Sequence, residues 1–364
     1  MNRLLLLIAF VASGLYISAQ NFDMKTVYQQ IDEAIEQSPQ VVREYGRQIA
    51  DTRQQYKLSS NPEEKYQLAF RLYEQYKAFM NDSALFYLNE AEQWAGRQGQ
   101  TALVGNCRSL KAFQCSTVGY YTEAQTLLKD INKQQLDSIG LRNYYKAQMH
   151  VYGELGYYSN IPSMKEGFFR NQALYRDSLF SMINHSDQDY LMYKIYELND
   201  LKELKEAHQL SNQWVKQVQP GSHDYAIACY YSWLSCEDEN EKRWWLAQSA
   251  LYDVRNAVMD QASLLSLAEI LNADGDLDRS YKYIRFTWDS NNRFNTRMRS
   301  WQITPILTVI ENNYQKAVEH NTKVLRMSIV VVSVLALLIL GVLFFLHRRN
   351  RQLDMARNEL KHSN

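Results

Sequence analysis

"LLSLAEILNADGDLDRSYKYIRFTW", residues 264–288, sets apolar or small residues at Leu264, Leu267, Ala268 and Leu271, breaks at Gly275-Asp276, and resumes with Ser280, Ile284 and Thr287. Helical spacing on both sides of a glycine turn predicts two antiparallel helices. Ala268 and Ser280 are small where the two helices must approach closely, and larger side chains fill the space around them.

The same spacing returns elsewhere. Ala112 and Cys115 precede Gly119, with Ala124, Leu128 and Ile131 after it; Ala84, Leu88 and Ala91 hold the second-helix positions of another copy. Asp238 marks a weaker turn, with Leu234 before it and Ala247 and Ala250 after it, and Gly156 and Asn199 mark two more. Turns near positions 79, 119, 156, 199, 238 and 275 recur every 37 to 43 residues. This is the logic of a tetratricopeptide unit, although no copy carries the full Trp-Leu-Gly signature. Such hairpins cannot bury their apolar faces alone, so they stack into a superhelix with a concave surface. The expected fold is all-α: a tetratricopeptide-like α-solenoid over residues 61–303, followed by a long C-terminal helix. An irregular helical bundle with coincidental turns is the alternative.

Residues 21–60 read as an N-terminal helical cap of two amphipathic helices broken near Ser38-Pro39. Val27, Ile31 and Ile35 share a face of the first; Val42, Tyr45, Ile49 and Tyr56 share a face of the second. Between Ser159 and Ser186 the repeat lengthens into a longer second helix. Thr304-Pro305 is a good helix start, opening a juxtamembrane helix over 304–326. There Leu307, Ile310, Tyr314, Ala317, Asn321 and Val324 follow a heptad rhythm that fits either a homodimer, with Asn321 setting register, or packing against the last repeat.

Of the 20 residues Met327–Leu346, 15 are Leu, Ile, Val or Phe and none is charged. That length spans a bilayer as a helix, and the run favours insertion by up to ~5 to 9 kcal/mol. At the other end, Arg3 and the short apolar core Leu4 to Ala12, followed by Gly14 and Ser18-Ala19, read as a removable signal peptide over 1–20, with an uncleaved signal anchor as the alternative. Arg348, Arg349 and Arg351 follow the span, against Lys323 and Arg326 before it, a positive-inside bias. The expected topology is single-pass in the inner (cytoplasmic) membrane of a Gram-negative bacterium, with the bulk of the chain periplasmic and residues 347–364 a short cytoplasmic tail.

A formal net charge of zero over 364 residues leaves no basic excess for phosphate neutralisation, so no direct nucleic-acid contact is expected. Five prolines and 13 glycines are few for a many-turned β-protein. Cys107 and Cys115, and Cys229 and Cys236, stand eight and seven residues apart. Along one helix that is about 10 to 12 Å, beyond disulfide reach; bridges between helices and buried free thiols both remain open. No phosphate loop, zinc spacing, nucleophile elbow or calcium loop occurs, and the histidines, His150, His185, His208 and His223 among them, are scattered. No catalytic residue, metal or cofactor is expected.

The chain is rich in aromatics, with 26 tyrosines and 7 tryptophans. Tyrosine suits half-buried positions that need a polar tip, so most read as wedges between helices. In the repeat register, the inner-groove positions of the first helices include Tyr66, Tyr73, Tyr76, Asn106, Phe113, Asn143, Lys146, His150 and Tyr225. A mixed aromatic and amide lining suits a peptide or glycan.

The signal peptide, the pair "QQIDEAIE...VREYGRQIADTRQQY", the segments "YQLAFRLYEQYKAFMNDSALFYLNEAE" and "DVRNAVMDQASLLSLAEILNADGDLDRSYKYI", the juxtamembrane "TPILTVIENNYQKAVE" and the span follow one another in an order that resembles bacterial envelope tetratricopeptide-type single-pass regulators ending in a domain of unknown function. The resemblance implies a cytoplasmic coiled coil and a helix-turn-helix output beyond the span. Leu353, Ala356 and Leu360 stand as the start of such a coiled coil; the sequence stops at Asn364 before such an output, which fits either a truncated form of a longer regulator or a protein that acts through a partner, so DNA binding is not carried over. The expected function is a membrane-anchored sensor that relays a protein, peptide or glycan signal through one helix, with a tethered envelope scaffold as the alternative.

Overall fold

The computed structural model describes residues 22–294 and 297–362, and every regular element among them is helical. The expected signal peptide lies outside the described residues. The chain divides into one unit ending at Leu307 and a second covering Thr308–Asn364.

The first unit begins with α1 (Met24–Leu58) and continues as hairpins: α2 (Pro62–Tyr76) with α3 (Asn81–Arg97), α4 (Thr101–Thr117) with α5 (Tyr121–Lys129), α6 (Ser138–Tyr158) with α7 (Pro162–Phe180), α8 (Gln188–Asp200) with α9 (Leu204–Gln217), α10 (His223–Ser235) with α11 (Glu239–Arg255), and α12 (Ala262–Asp274) with α13 (Leu277–Phe294). Polar residues start many of these helices. The Asn61 side chain accepts from the backbone N–H groups of Glu63 and Glu64 ahead of Pro62, and Asp137, Asp187, Ser222 and Asp238 cap in the same way. Gly119 and Gly275 turn the chain at φ 91° and 86°, a region that favours glycine.

Close approach within the last hairpin rests on the small residues expected there. Ala268 and Ser280 are fully buried, and the Ser280 hydroxyl donates to the Ala268 carbonyl at 2.8 Å. Ala112 of α4 shares a buried cluster with Ala124 and Leu128 of α5, as Leu72 of α2 does with Ala84 and Leu88 of α3.

Two helix boundaries differ from expectation. α1 is a single helix through Pro39 rather than two helices broken there. An internal proline costs about 3 kcal/mol, but Val27 and Ile31 before it and Ile49 after it are buried, each worth about 1.5 to 3 kcal/mol. Likewise Thr304-Pro305 does not begin a helix: the last one, α14 (Arg297–His362), runs through Pro305. Ile303 and Leu307 are buried on either side, and the missing hydrogen bond would go to the carbonyl of Trp301, a residue 70% exposed.

Two turn markers are also displaced. Gly156 lies inside α6, where a Cβ would sit 2.8 Å from the Phe169 ring of α7; its smallness serves helix contact. Asn199 lies in the last turn of α8, and the chain reverses at Lys202, φ 61°.

α1 does more than cap the first hairpin. Its C-terminal half packs there: Ile49 joins Leu72 and Tyr76, and the Tyr45 hydroxyl donates to the Gln75 carbonyl at 2.7 Å. Its N-terminal half meets the last hairpin, with Asp32 accepting from Arg279 at 3.0 Å and Tyr283 donating to the Tyr28 carbonyl at 3.3 Å. Midway, Val42 packs on Val118, Met259 and Phe294, and the Met259 amide donates to the Ala78 carbonyl at 2.9 Å. The superhelix of the first unit is therefore closed on itself.

The second unit is the remainder of α14. It contains the one stretch among the described residues long and apolar enough to cross a membrane, and none of that window is buried.

Candidate functional site

Closure leaves a central, half-open cavity of about 590 Å³ in the first unit, within the usual range for ligand pockets. The first helix of every hairpin faces it: Tyr73 from α2, Phe113 from α4, Asn143 and Lys146 from α6, Met192 from α8, Ile227 and Tyr230 from α10, and Ser263 from α12. Trp214 of α9 and Asp253 of α11 complete the far wall. In a stacked array the shorter, inner radius belongs to one helix of each pair, which is why these helices share one face.

Four of the nine expected groove residues, Tyr73, Phe113, Asn143 and Lys146, line the cavity. Two more stand directly behind them. Asn106 accepts from the Asn143 amide at 2.8 Å, and His150 lies 4.7 Å from the Phe113 ring while its Nδ1 meets the Ser116 hydroxyl at 2.8 Å. The other three are wedges between helices. Tyr66 packs on Ala69, Ala91 and Cys107; Tyr76 stacks on Tyr87; and Tyr225 sets its ring against the edge of Tyr252. The general reading of tyrosine as a wedge outweighed the repeat register at those positions.

The charged lining is largely paired. Lys146 Nζ lies 2.9 Å from Asp189, whose second oxygen accepts from Arg142 at 2.8 Å; Lys77 lies 2.6 Å from Glu74. Across the cavity, His223 Nδ1 meets Asp253 at 3.1 Å. Burial raises the Asp253 carboxyl and the His223 contact opposes that rise. Asp224 and Asp260 add further carboxylates. Asp189, Trp214, His223 and Asp253 were not among the expected groove residues. The usable signal for Asp189 and His223 was the same inner-face position that marked Asn143 and Lys146, carried onward to α8 and α10.

Aromatic planes beside fixed ion pairs can stack on a flat or ring-shaped ligand while offering hydrogen-bond donors and acceptors at its rim. All four cysteines are free and buried away from this surface, in the packing between helices.

A family model described as the SusR N-terminal TPR domain matches residues 35–305. No curated protein matches the chain.

Proposed function

The chain belongs to the SusR N-terminal TPR domain family, and from that premise we propose that it is a membrane-anchored periplasmic sensor whose central cavity binds a peptide or glycan. Tetratricopeptide domains generally mediate binding rather than catalysis, which fits a regulator of this type. The observation that carries the reading is the cavity itself: its walls come from the first helices of all six hairpins, so a bound molecule touches both ends of the array at once. A ligand that prefers one spacing of those helices shifts their equilibrium.

In this proposal the apolar stretch of α14 crosses the inner membrane with the repeats outside and residues 347–364 inside, and the helix carries the change inward. Leu307 and Ile310 are already buried, so the exposed heptad positions Asn321 and Val324 serve a homodimer, and a cytoplasmic coiled coil or partner receives the signal.

Titration calorimetry of the full chain in detergent against panels of oligosaccharides and short peptides tests the binding step. One class should give saturable heat that Phe113→Ala with Lys146→Met reduces at least tenfold. Silence from both classes, or undiminished binding by that variant, would count against the cavity. For the relay, flexible glycines inserted near Lys323 should abolish the cellular response.

The scaffold reading draws on a different surface. α7 buries only Leu179 and leaves Met164 and Leu174 49% and 60% exposed, a face suited to a protein partner. Complementation by a secreted form lacking residues 323–364 would favour it.

A further inference from the structure

Away from the cavity, three side chains from successive helices converge. His208 comes from α9, Cys236 immediately follows α10, and Glu241 stands in the first turn of α11. One ligating atom from each lies within 4.8 Å of the other two. His208 Nε2 and Glu241 Oε1 are 3.6 Å apart, too far for a hydrogen bond. Nitrogen and oxygen donors on one tetrahedral ion with bonds of about 2.0 to 2.2 Å are separated by roughly 3.3 to 3.6 Å, so this spacing suits a shared cation.

The surroundings hold the set in place. Trp245 Nε1 donates to Glu241 Oε1 at 3.1 Å, which orients the carboxylate. The Asn212 amide lies 2.9 Å from His208 Nε2, the nitrogen that faces Glu241, and a bound cation would take the place of that contact; Nδ1 of the same ring is buried without a hydrogen-bond partner. Cys236 is 3% exposed and packs with Cys229 and Trp245.

We propose that His208, Cys236 and Glu241 form a zinc site that staples the α8–α9 hairpin to the α10–α11 hairpin. The mixed nitrogen, sulfur and oxygen donor set selects Zn²⁺ over the hard cations Mg²⁺ and Ca²⁺, which take oxygen ligands. Three protein ligands leave the fourth position to water. On binding, the thiol proton leaves to solvent, the thiolate takes the metal, and the aquo ion sheds the waters that the three side chains replace.

Co²⁺ titrated into the full chain in detergent micelles, after chelator treatment, is the test. One equivalent should produce a thiolate-to-cobalt charge-transfer band with tetrahedral ligand-field bands, and Zn²⁺ should bleach both. Cys236→Ser should abolish the charge-transfer band, Cys229→Ser should keep it, and Glu241→Gln should weaken Co²⁺ affinity at least tenfold. Glu241 is partly exposed, so that variant tests the site without emptying the core; its melting temperature should not rise with Zn²⁺, whereas the parent's should. Absence of the band in the parent chain, or its survival in Cys236→Ser, would overturn the site.

Discussion

Arg279 and Asp32 stand 247 positions apart, yet the guanidinium Nε donates to the carboxylate at 3.0 Å. Lys282 approaches the same carboxylate at 3.4 Å and Glu36 at 3.1 Å. This cluster joins the last hairpin to the first helix and so helps close the superhelix. Partly exposed ion pairs contribute about 0.2 to 1 kcal/mol. A double-mutant cycle of Asp32→Asn with Arg279→Gln, read by urea unfolding, should give a coupling in that range. Loss of the pair should also hasten proteolytic cleavage of the α1 N-terminal half; zero coupling and unchanged cleavage would remove it from the closure.

Gly156 answers to a ring rather than to a turn. A Cβ there would stand 2.8 Å from Phe169, and overpacking of this kind costs about 1 to 3 kcal/mol. Gly156→Val should lower stability by that amount in denaturant unfolding, and Phe169→Leu in the same chain should recover part of the loss. An unchanged midpoint in the single variant would show that α7 yields freely.

The four thiols should be silent in the native chain. Burial pushes Cys115 up to about 11 and Cys107 and Cys236 up to about 12, and raises Cys229 as well. An ordinary thiol near its pKa of about 8.5 reacts readily as thiolate. A thiol-specific dye at mildly alkaline pH should therefore label none in the folded, metal-free protein and four after denaturation. Labelling before unfolding would place a thiol at the surface.

Acid should weaken the α3–α4 contact through Glu92. Burial on its own would raise this carboxyl, but Lys111 at 2.5 Å and Arg108 at 2.7 Å outweigh it, and the net shift is downward. The unfolded chain then binds the proton more tightly than the folded one. The stabilisation is present above the unfolded value of about 4.3 and is lost as pH falls through the lower folded value. Glu92→Gln should flatten the melting temperature against pH in that acidic window; an identical profile would exclude the group.

Much of the hairpin order was legible because it is local. A small residue at Ala268, a turn at Gly275 and a second small residue at Ser280 impose a helical pair within 13 residues of chain. Tyr73, Phe113, Asn143 and Lys146 were readable for a related reason: repetition carries the inner face from one first helix to the next. Tyr66, Tyr76 and Tyr225 obeyed the same periodicity and still turned into wedges, since a tyrosine can satisfy either position and the neighbouring helix decides.

The amino-acid order by itself determined the helices, the hairpin period and the apolar stretch from Met327 to Leu346, because each depends on interactions within a few turns of chain. Only the tertiary structure decided that α1 stays unbroken at Pro39, that Asp32 meets Arg279 and that Trp214 and Asp253 close the far wall of the cavity. Those outcomes depend on how small offsets between successive hairpins accumulate until distant ends touch, and burial gained at such contacts outweighs the local preference of a single proline.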